Sequence, residues 1–551
     1  MLRKWSTLKK SSFIEGTFIA TLAIVLVKIM GMLYVIPFYA IVGTTGAALY
    51  SYAYNIYNIF LDISTVGLPI AISKITNEFH TLKMYDAKKR AYEIAIKIMR
   101  FISVAIFIIL FFFAYPIASF IIGDLTGGNT KEAITAVIRT VSLAILVIPY
   151  LSVAKGYLQG HNVINISSIS NVLEQVVRIL VIIVGSFLAI KVFHLSYVVG
   201  VMIALSGAFF GGIVSYFYVK HKMNKNQKEL GLTAQKKKDK ITNKEITKKL
   251  ASYAIPYVII NSVSSLYSFV DMILVLRGLE LMGYATSDIE FISSSISTWA
   301  GKINMIVISI AMGMTISLIP SIVHAYTLKK WDDVNNKINA AFEIIAFVSL
   351  PMAIGLSLLS KEVWQVFYGA SDIGASILSV SVFVAVSLNF YMITSSIMQS
   401  LNKYKTVYIA TICGLLSNAI LDIPLMYFLK FIGLPAYIGP LVSSIIGYML
   451  SVFINLMVIK KEEKQINYKD SLKTIVKILV PSLSMFAIIL VLKNIIPFNA
   501  TSRLSAVLII IFYAIIGVLI YGGIAYKMGL LDEVLGKNLL NKITKKLKRQ
   551  A

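Results

Sequence analysis

Long apolar runs that carry no charge follow one another from end to end of this chain, and they settle its solvent before any motif is considered. Phe101–Gly123 and Ala506–Ala525 contain no Asp, Glu, Lys or Arg. Each reaches the ~20 residues that an α-helix needs to cross the hydrocarbon core of a bilayer. The runs are continuous rather than alternating, which excludes the dyad pattern of a transmembrane barrel. Charged residues make up only 14% of the 551, against about 25% in soluble domains.

The runs predict spans near 16–42, 46–74, 96–123, 133–158, 165–190, 196–219, 251–278, 293–322, 338–360, 375–400, 406–430, 435–459, 474–493 and 504–526. The expected fold is therefore an all-α integral membrane protein of about fourteen transmembrane helices. It divides into an N-terminal lobe (1–219), a basic linker (220–250), a C-terminal lobe (251–459) and a last segment with two further helices and a basic tail (460–551).

The net charge of +26 suggests a nucleic-acid partner until the basic residues are placed. With both termini cytoplasmic, 40 of the 52 Lys and Arg fall at the cytoplasmic ends, 7 at the outer ends and 5 inside spans. That bias is the positive-inside signature of a multi-pass protein, and it removes the nucleic-acid reading. Arg3–Lys10 lead into a span with no small-residue cleavage site, so the first helix is expected to be retained. The single cysteine, Cys413, lies in an apolar run and is assigned to packing.

The two halves resemble each other. Tyr150 precedes Gln159 and Asn162 much as Tyr391 precedes Gln399 and Asn402, each set closing the fourth helix of its half. Duplication of this kind places a transporter's substrate site between the repeats.

Charges inside spans are costly, about 2.5–3.5 kcal/mol each at mid-depth, so they mark a partner or a wet cavity. Lys28 and Lys302 are deep cations of the first and eighth spans, expected to hold an anion such as pyrophosphate. Glu174 and Arg178 are four apart on one helix face, the spacing of an ion pair, and Arg139 of the preceding span is expected to join them, either as a pair that fixes helix contacts or as substrate-binding residues. Arg100 snorkels to the interface. Asp271, Asn418 and Asp422 supply two carboxylates and an amide oxygen, a donor set for Na⁺ or, if an acid is protonated, for H⁺ coupling. No other cofactor is expected.

The segments Lys-Ile-Met-Gly-Met-Leu-Tyr-Val-Ile-Pro-Phe (28–38) and Val-Gly-Leu-Pro-Ile-Ala-Ile-Ser-Lys (66–74) carry a family resemblance, as do Gln159-Gly-His161, Glu174-Gln-Val-Val-Arg178 and Ser317-Leu-Ile-Pro-Ser321. The chain resembles the multidrug/oligosaccharidyl-lipid/polysaccharide exporter superfamily, most closely its MurJ-type lipid II flippases and the stage V sporulation protein B group. The resemblance implies two six-helix lobes related by a pseudo-twofold around a cationic cavity, with two C-terminal helices adding a groove for a polyprenyl tail. It implies a cargo of undecaprenyl-pyrophosphate-linked disaccharide-pentapeptide, moved from the inner to the outer leaflet by alternating access. Lys28 and Lys302 fall at its cavity cations, and Asp271, Asn418 and Asp422 match an ion-site pattern. Two further cavity cations of the Gram-negative flippases align with Tyr34 and Leu61, and an essential acid with Leu49, so the remaining cations carry more of the anion binding.

The chain is accordingly expected to be a transporter rather than an enzyme, since its outer loops are short and no His stands beside an acid pair. The expected partners are a lipid-linked anionic glycan and membrane lipids, with the chain monomeric and associating with cell-wall synthesis machinery. The alternatives are export of another undecaprenyl-linked glycan, a sporulation-stage role, or multidrug antiport.

Overall fold

In the computed structural model the described residues are 23, 26–65, 67–233, 239–463 and 465–535. The N-terminal basic stretch, the start of the first span, the centre of the linker (234–238) and the basic tail lie outside them.

The described residues form helices: α1 (26–33), α2 (Val35–Thr65), α3 (Gly67–Thr81), α4 (Tyr85–Phe112), α5 (Ala114–Ile122), α6 (Lys131–Ile145), α7 (Ile148–Gly160), α8 (Ile164–Leu180), α9 (Tyr197–Lys225) and α10 (Gln227–Leu230). There follow α11 (Asn243–Asn261), α12 (Val263–Leu281), α13 (Thr286–Ser294), α14 (Ala300–Thr327), α15 (Trp331–Leu358), α16 (Ser360–Tyr368) and α17 (Asp372–Ser400). The chain ends in α18 (Tyr404–Phe431), α19 (Gly439–Glu462), α20 (Lys469–Ile495), α21 (Arg503–Lys527) and α22 (Leu530–Leu535). No strand occurs among the described residues.

Among the described residues twelve helices are long and apolar enough to cross a bilayer, and the bent pair Asn243–Ile260 and Val263–Leu281 makes a thirteenth span. One of the twelve, Leu26–Thr81, runs 56 residues. At 1.5 Å per residue that is about 84 Å, far beyond a hydrocarbon core of ~30 Å. The helix breaks at Gly43, whose φ of 69° and ψ of −174° suit a residue without Cβ. Two spans meet there, and the tally becomes the fourteen expected. Phe101, Phe112, Phe431, Leu504 and Val518 are exposed, which in lipid costs nothing because acyl chains are as apolar as the side chains.

The duplication is written in the turns. Left-handed residues stand at Gly43, Lys83, Gly123, Asn162 and His194, and again at Gly283, Lys329, Gly369, Asn402 and Gly433. The offsets are 240, 246, 246, 240 and 239 residues. The breaks at Phe113, before α5, and at Leu359, before α16, are also 246 apart. Gly127, Gly231 and Gly529 are the left-handed positions without a counterpart. Asn tolerates this backbone region because its short side chain bonds locally, so the repeated Asn162 and Asn402 have a structural cause.

Contacts divide the chain into two units, Met1–Thr298 and Trp299–Ala551. In the first, α3 packs on α7 and α11, and α8 on α9. Glycines permit the close approaches. A Cβ on Gly156 or Gly160 of α7 would lie 2.4 Å from the Pro69 carbonyl oxygen or 2.6 Å from that of Ser73, both on α3. A Cβ on Gly207 or Gly211 of α9 would lie 2.8 Å from the Arg178 carbonyl oxygen or 2.6 Å from that of Glu174, both on α8. Small residues four apart are what let membrane helices meet backbone to backbone. In the second unit α18 packs on α19, α17 on α14 and α19, and the terminal pair α20–α21 docks through α15 and α16.

Candidate functional site

The glycine seams fix α7 against α3 and α8 against α9, and the cavity they frame is the polar one. It encloses ≈ 410 Å³ between α2, α3, α7 and α8, and Lys155, Gln159, Asn171, Glu174 and Arg178 line it with Tyr57 and Ser152. Lys155 Nζ donates to Glu174 Oε2 at 2.8 Å and to Asn171 Oδ1 at 2.7 Å. Glu174 thus pairs across to α7, and it forms no ion pair with Arg178, its neighbour four residues on.

Arg178 is held differently. Its guanidinium lies over the Tyr54 ring, 5.9 Å from the centroid, and its electrostatic neighbours are the phenols of Tyr34, Tyr50, Tyr54 and Tyr57. Tyr50 and Tyr54 stack at 5.4 Å, and the Tyr34 and Tyr50 hydroxyls are 3.5 Å apart. A cation–π contact contributes about 0.5–2 kcal/mol, but it uses none of the five guanidinium N–H donors. Among the described residues no carboxylate forms an ion pair with Arg178. The cavity therefore carries two cations and one acid, and among the described residues the acid is paired with Lys155 and not with Arg178.

The second unit holds an apolar cavity of ≈ 440 Å³, lined by Phe347 and Pro351 of α15, Met485 and Ile489 of α20, and Tyr513 and Gly517 of α21 among others. Beside it Lys493 donates at 2.9 Å to both the Leu358 carbonyl and Glu362 Oε1, tying α20 to α16. Tyr521 fixes α21 to α15 by donating to the Phe347 carbonyl at 2.7 Å.

A buried polar cluster joins α18 to α19. Asn418 Nδ2 donates to Asp422 Oδ1, Ser443 Oγ and Ser444 Oγ at 3.1, 3.0 and 3.1 Å, and the Ser443 hydroxyl also donates to Asp422. All four residues are at most 2% exposed. Turning the amide about, an assignment that hydrogen bonding alone decides, would bring its oxygen in beside three others. Such a set of hard oxygens suits Na⁺. Adding the 240-residue offset to Arg178 gives Asn418, so the two polar sites occupy matching positions in the two halves, one cationic and one acidic.

A family described as polysaccharide biosynthesis protein matches residues 13–286, and one described as MatE matches 292–423. The lipid II flippase MurJ of Bacillus subtilis (strain 168) is 30% identical over 548 residues, covering 96% of this chain and 98% of that protein. The chain belongs to the MurJ family. Stage V sporulation protein B of the same organism is 24% identical over 419 residues, with 74% and 76% covered. Among solved structures, lipid II flippase MurJ in an inward closed conformation aligns with a TM-score of 0.63 at 20% identity, over 93% of this chain and 99% of that one. An inward-facing multidrug resistance MATE transporter aligns at 0.62 and 16%, over 79% and 96%. At these identities the structural matches establish the fold.

For this MurJ-family member the expected site residues separate into groups. Glu174 and Arg178 share the polar cavity. Arg139 does not reach it: its exposed guanidinium donates from Nε to the Phe111 carbonyl at 3.1 Å and covers the Phe111 ring at 5.5 Å. Lys28 is half-buried in α1, and Lys302 is buried in α14 at 8% exposure. Asp271 is buried in α12 of the first unit, whereas Asn418 and Asp422 belong to the second. Asp62, a conceivable neighbour for a deep lysine, accepts from Ser265 at 2.5 Å. Lys155 escaped the sequence reading because, four residues from the end of its apolar run, it counted as a cytoplasmic loop charge. The signal for it was Pro149, which stands in the first turn of a new helix and sets Lys155 on the wall of the cavity.

Proposed function

We propose that this chain is a lipid II flippase, carrying an undecaprenyl-pyrophosphate-linked glycan from the inner to the outer leaflet without covalent chemistry. The observation that carries this reading is Arg178, a guanidinium beside a polar cavity, lying over the Tyr54 ring, with the neutral phenols of Tyr34, Tyr50 and Tyr57 near it and no carboxylate ion pair among the described residues. Membrane-embedded cations persist where a partner is supplied, and a diphosphate is the anion whose oxygens match the planar donor fork bidentately.

Lys155 stands ready as the second cation, and Lys28 and Lys302 add positive charge elsewhere along the path. The apolar cavity of α15, α20 and α21 offers the polyprenyl chain a surface as apolar as lipid. Organic cations, the cargo of a drug antiporter, would meet repulsion at Arg178 and Lys155.

Both termini lie in the cytoplasm on this reading, because the Lys and Arg residues concentrate at that side. The chain acts as a monomer beside the enzymes that consume its cargo. Asn418, Asp422, Ser443 and Ser444 would hold a coupling Na⁺ or proton. When bound, the ion supplies positive charge that offsets the buried carboxylate.

The test is translocation of lipid II by the purified protein in liposomes. Wild type is expected to flip it, and Arg178→Ala to lose activity on the order of 100-fold, the weight of two charged hydrogen bonds. Wild-type protein that flips another lipid-linked glycan but not lipid II would move the assignment to that cargo. Full activity of Arg178→Ala would remove the anion site.

A further inference from the structure

The end of the first unit remote from the basic linker is closed by side chains from α2 on one side and from α13 and the wide π turn beginning at Ser295 on the other. Ser51 Oγ is 2.6 Å from Thr298 Oγ1 and 3.2 Å from Ser297 Oγ. Asn55 Nδ2 donates to the same two hydroxyls at 2.9 and 3.2 Å. Two helical turns from this row stands Glu290, only 3% exposed. Its Oε1 accepts from Tyr52 Oη at 3.2 Å and from the Asn129 backbone N–H at 2.9 Å, and its Oε2 accepts from Asn129 Nδ2 at 2.9 Å.

Asn129 is itself pinned: Nδ2 also donates to the Thr45 carbonyl at 3.1 Å, and Oδ1 accepts from Tyr197 Oη at 3.4 Å. A Cβ on Gly128 would fall 2.7 Å from the carboxyl carbon. One carboxylate thus holds α2, α13 and the loop between α5 and α6 together.

The groups facing Glu290 are Tyr52 from α2, Asn129 from the loop and Tyr197 from the start of α9. The charged and titratable residues at this end, Asp124 of the loop, Lys131 and Glu132 of α6, Lys191 and His194 before α9, Arg277 and Glu280 of α12, and Asp288 of α13, make no ion pair or hydrogen bond with it among the described residues; Arg277 instead bonds to the Phe120 carbonyl and to Glu280. A carboxylate with three donors and no cation is well served while ionised. Once protonated it needs an acceptor, and the two Asn129 groups have none to give. The Tyr52 hydroxyl can accept only by withdrawing its own hydrogen bond.

We propose that Glu290 is a proton-binding site, and that protonation from the aqueous phase on its own side unlocks this end of the unit. The inference rests on the transport reading, in which a closed end must open for cargo to leave. Acidity then acts as an effector binding the open form better than the closed one, and it shifts their ratio by that difference in affinity. The site is separate from the acidic cluster of α18 and α19, so it would couple protons whatever ion that cluster takes.

The test is the distance between spin labels placed at the exposed Thr44 and Ser287, as Thr44→Cys and Ser287→Cys in a Cys413→Ser background, in full-length protein in liposomes. Between pH 8 and pH 5.5 a second, longer distance is expected to grow, with about a tenfold change in the ratio of the two populations, the weight of one charged hydrogen bond. Glu290→Gln, whose amide presents a donor to donors, is expected to show the longer distance at both pH values. Tyr52→Phe retains the acid but removes one donor to its ionised form, so its midpoint moves to higher pH. A wild-type distance indifferent to pH, or a pH response kept by Glu290→Gln, would overturn the proposal. If Glu290→Gln does not fold, an unshifted midpoint in Tyr52→Phe overturns it. Lipid II flipping by the same liposomes reports separately on the flippase reading, since its absence leaves the distance change intact.

Discussion

Replacing Lys155 should remove one unit of positive charge and at the same time release Glu174 onto Arg178. In the resting cavity Lys155 and Arg178 contribute two positive charges, and Glu174, bonded to Lys155 at 2.8 Å, removes one. Lys155→Met leaves Glu174 without its partner, one helical turn from Arg178, so the carboxylate turns to the guanidinium and occupies the anion site from within. The cavity then carries no net charge. For one negative charge of a diphosphate about 6 Å from each group and an effective dielectric of ~20, one unit of cavity charge is worth about 3 kcal/mol, or on the order of 100-fold in affinity. Lys155→Met is therefore expected to weaken binding of a short-chain lipid diphosphate about 100-fold. Glu174→Gln is expected to strengthen it by a similar factor, and Lys155→Met/Glu174→Gln, which restores one net positive charge, to return within about tenfold of wild type. The assay is equilibrium binding to purified protein in nanodiscs at fixed, low salt, because screening compresses these differences. A double variant as weak as Lys155→Met alone would show that Lys155 itself, rather than the net charge, is what the anion needs.

Three further outcomes follow from the packing. Gly517→Phe, which fills the apolar cavity beside Met485 and Ile489, should abolish flipping of the full-length polyprenyl substrate while binding of a short-chain diphosphate stays unchanged; equal loss of both would detach the cavity from the tail. Gly211→Val places a methyl-bearing carbon where the Glu174 carbonyl oxygen sits 2.6 Å away, so overpacking should cost about 1–3 kcal/mol and lower the melting temperature, while Gly523→Ala, at an exposed position with open space around it, should not. Asp422→Asn should remove stabilisation by Na⁺: wild-type melting temperature rises on exchanging choline for sodium chloride, as for any ligand bound only to the folded state, and the variant's does not. An equal rise in both would exclude Asp422 as a ligand.

The number of spans and their repeat were legible in the sequence because both are matters of length and recurrence. Asn162 and Asn402 already stood out as a pair, and their left-handed backbone explains why. What the sequence concealed was partnership. Four-residue spacing put Glu174 and Arg178 on one face, as they are, yet the acid bonds to Lys155 of α7, since a partner from another helix leaves no local pattern. Arg139 was drawn toward the same site by its place on a neighbouring span, but its exposed guanidinium covers Phe111 instead. Glu290 was passed over because it lies just before its predicted span, where an acid reads as solvated; the loop carrying Asn129 folds over and buries it.

A carrier is limited by letting go as much as by holding on. An arginine tethered to a carboxylate would have to find that carboxylate again before each cargo left, and the search would set the pace. The neutral tyrosines around Arg178 impose no such appointment: already in place, they hold the guanidinium at shallow depth, so it can surrender an anion without waiting for a rival to take its place.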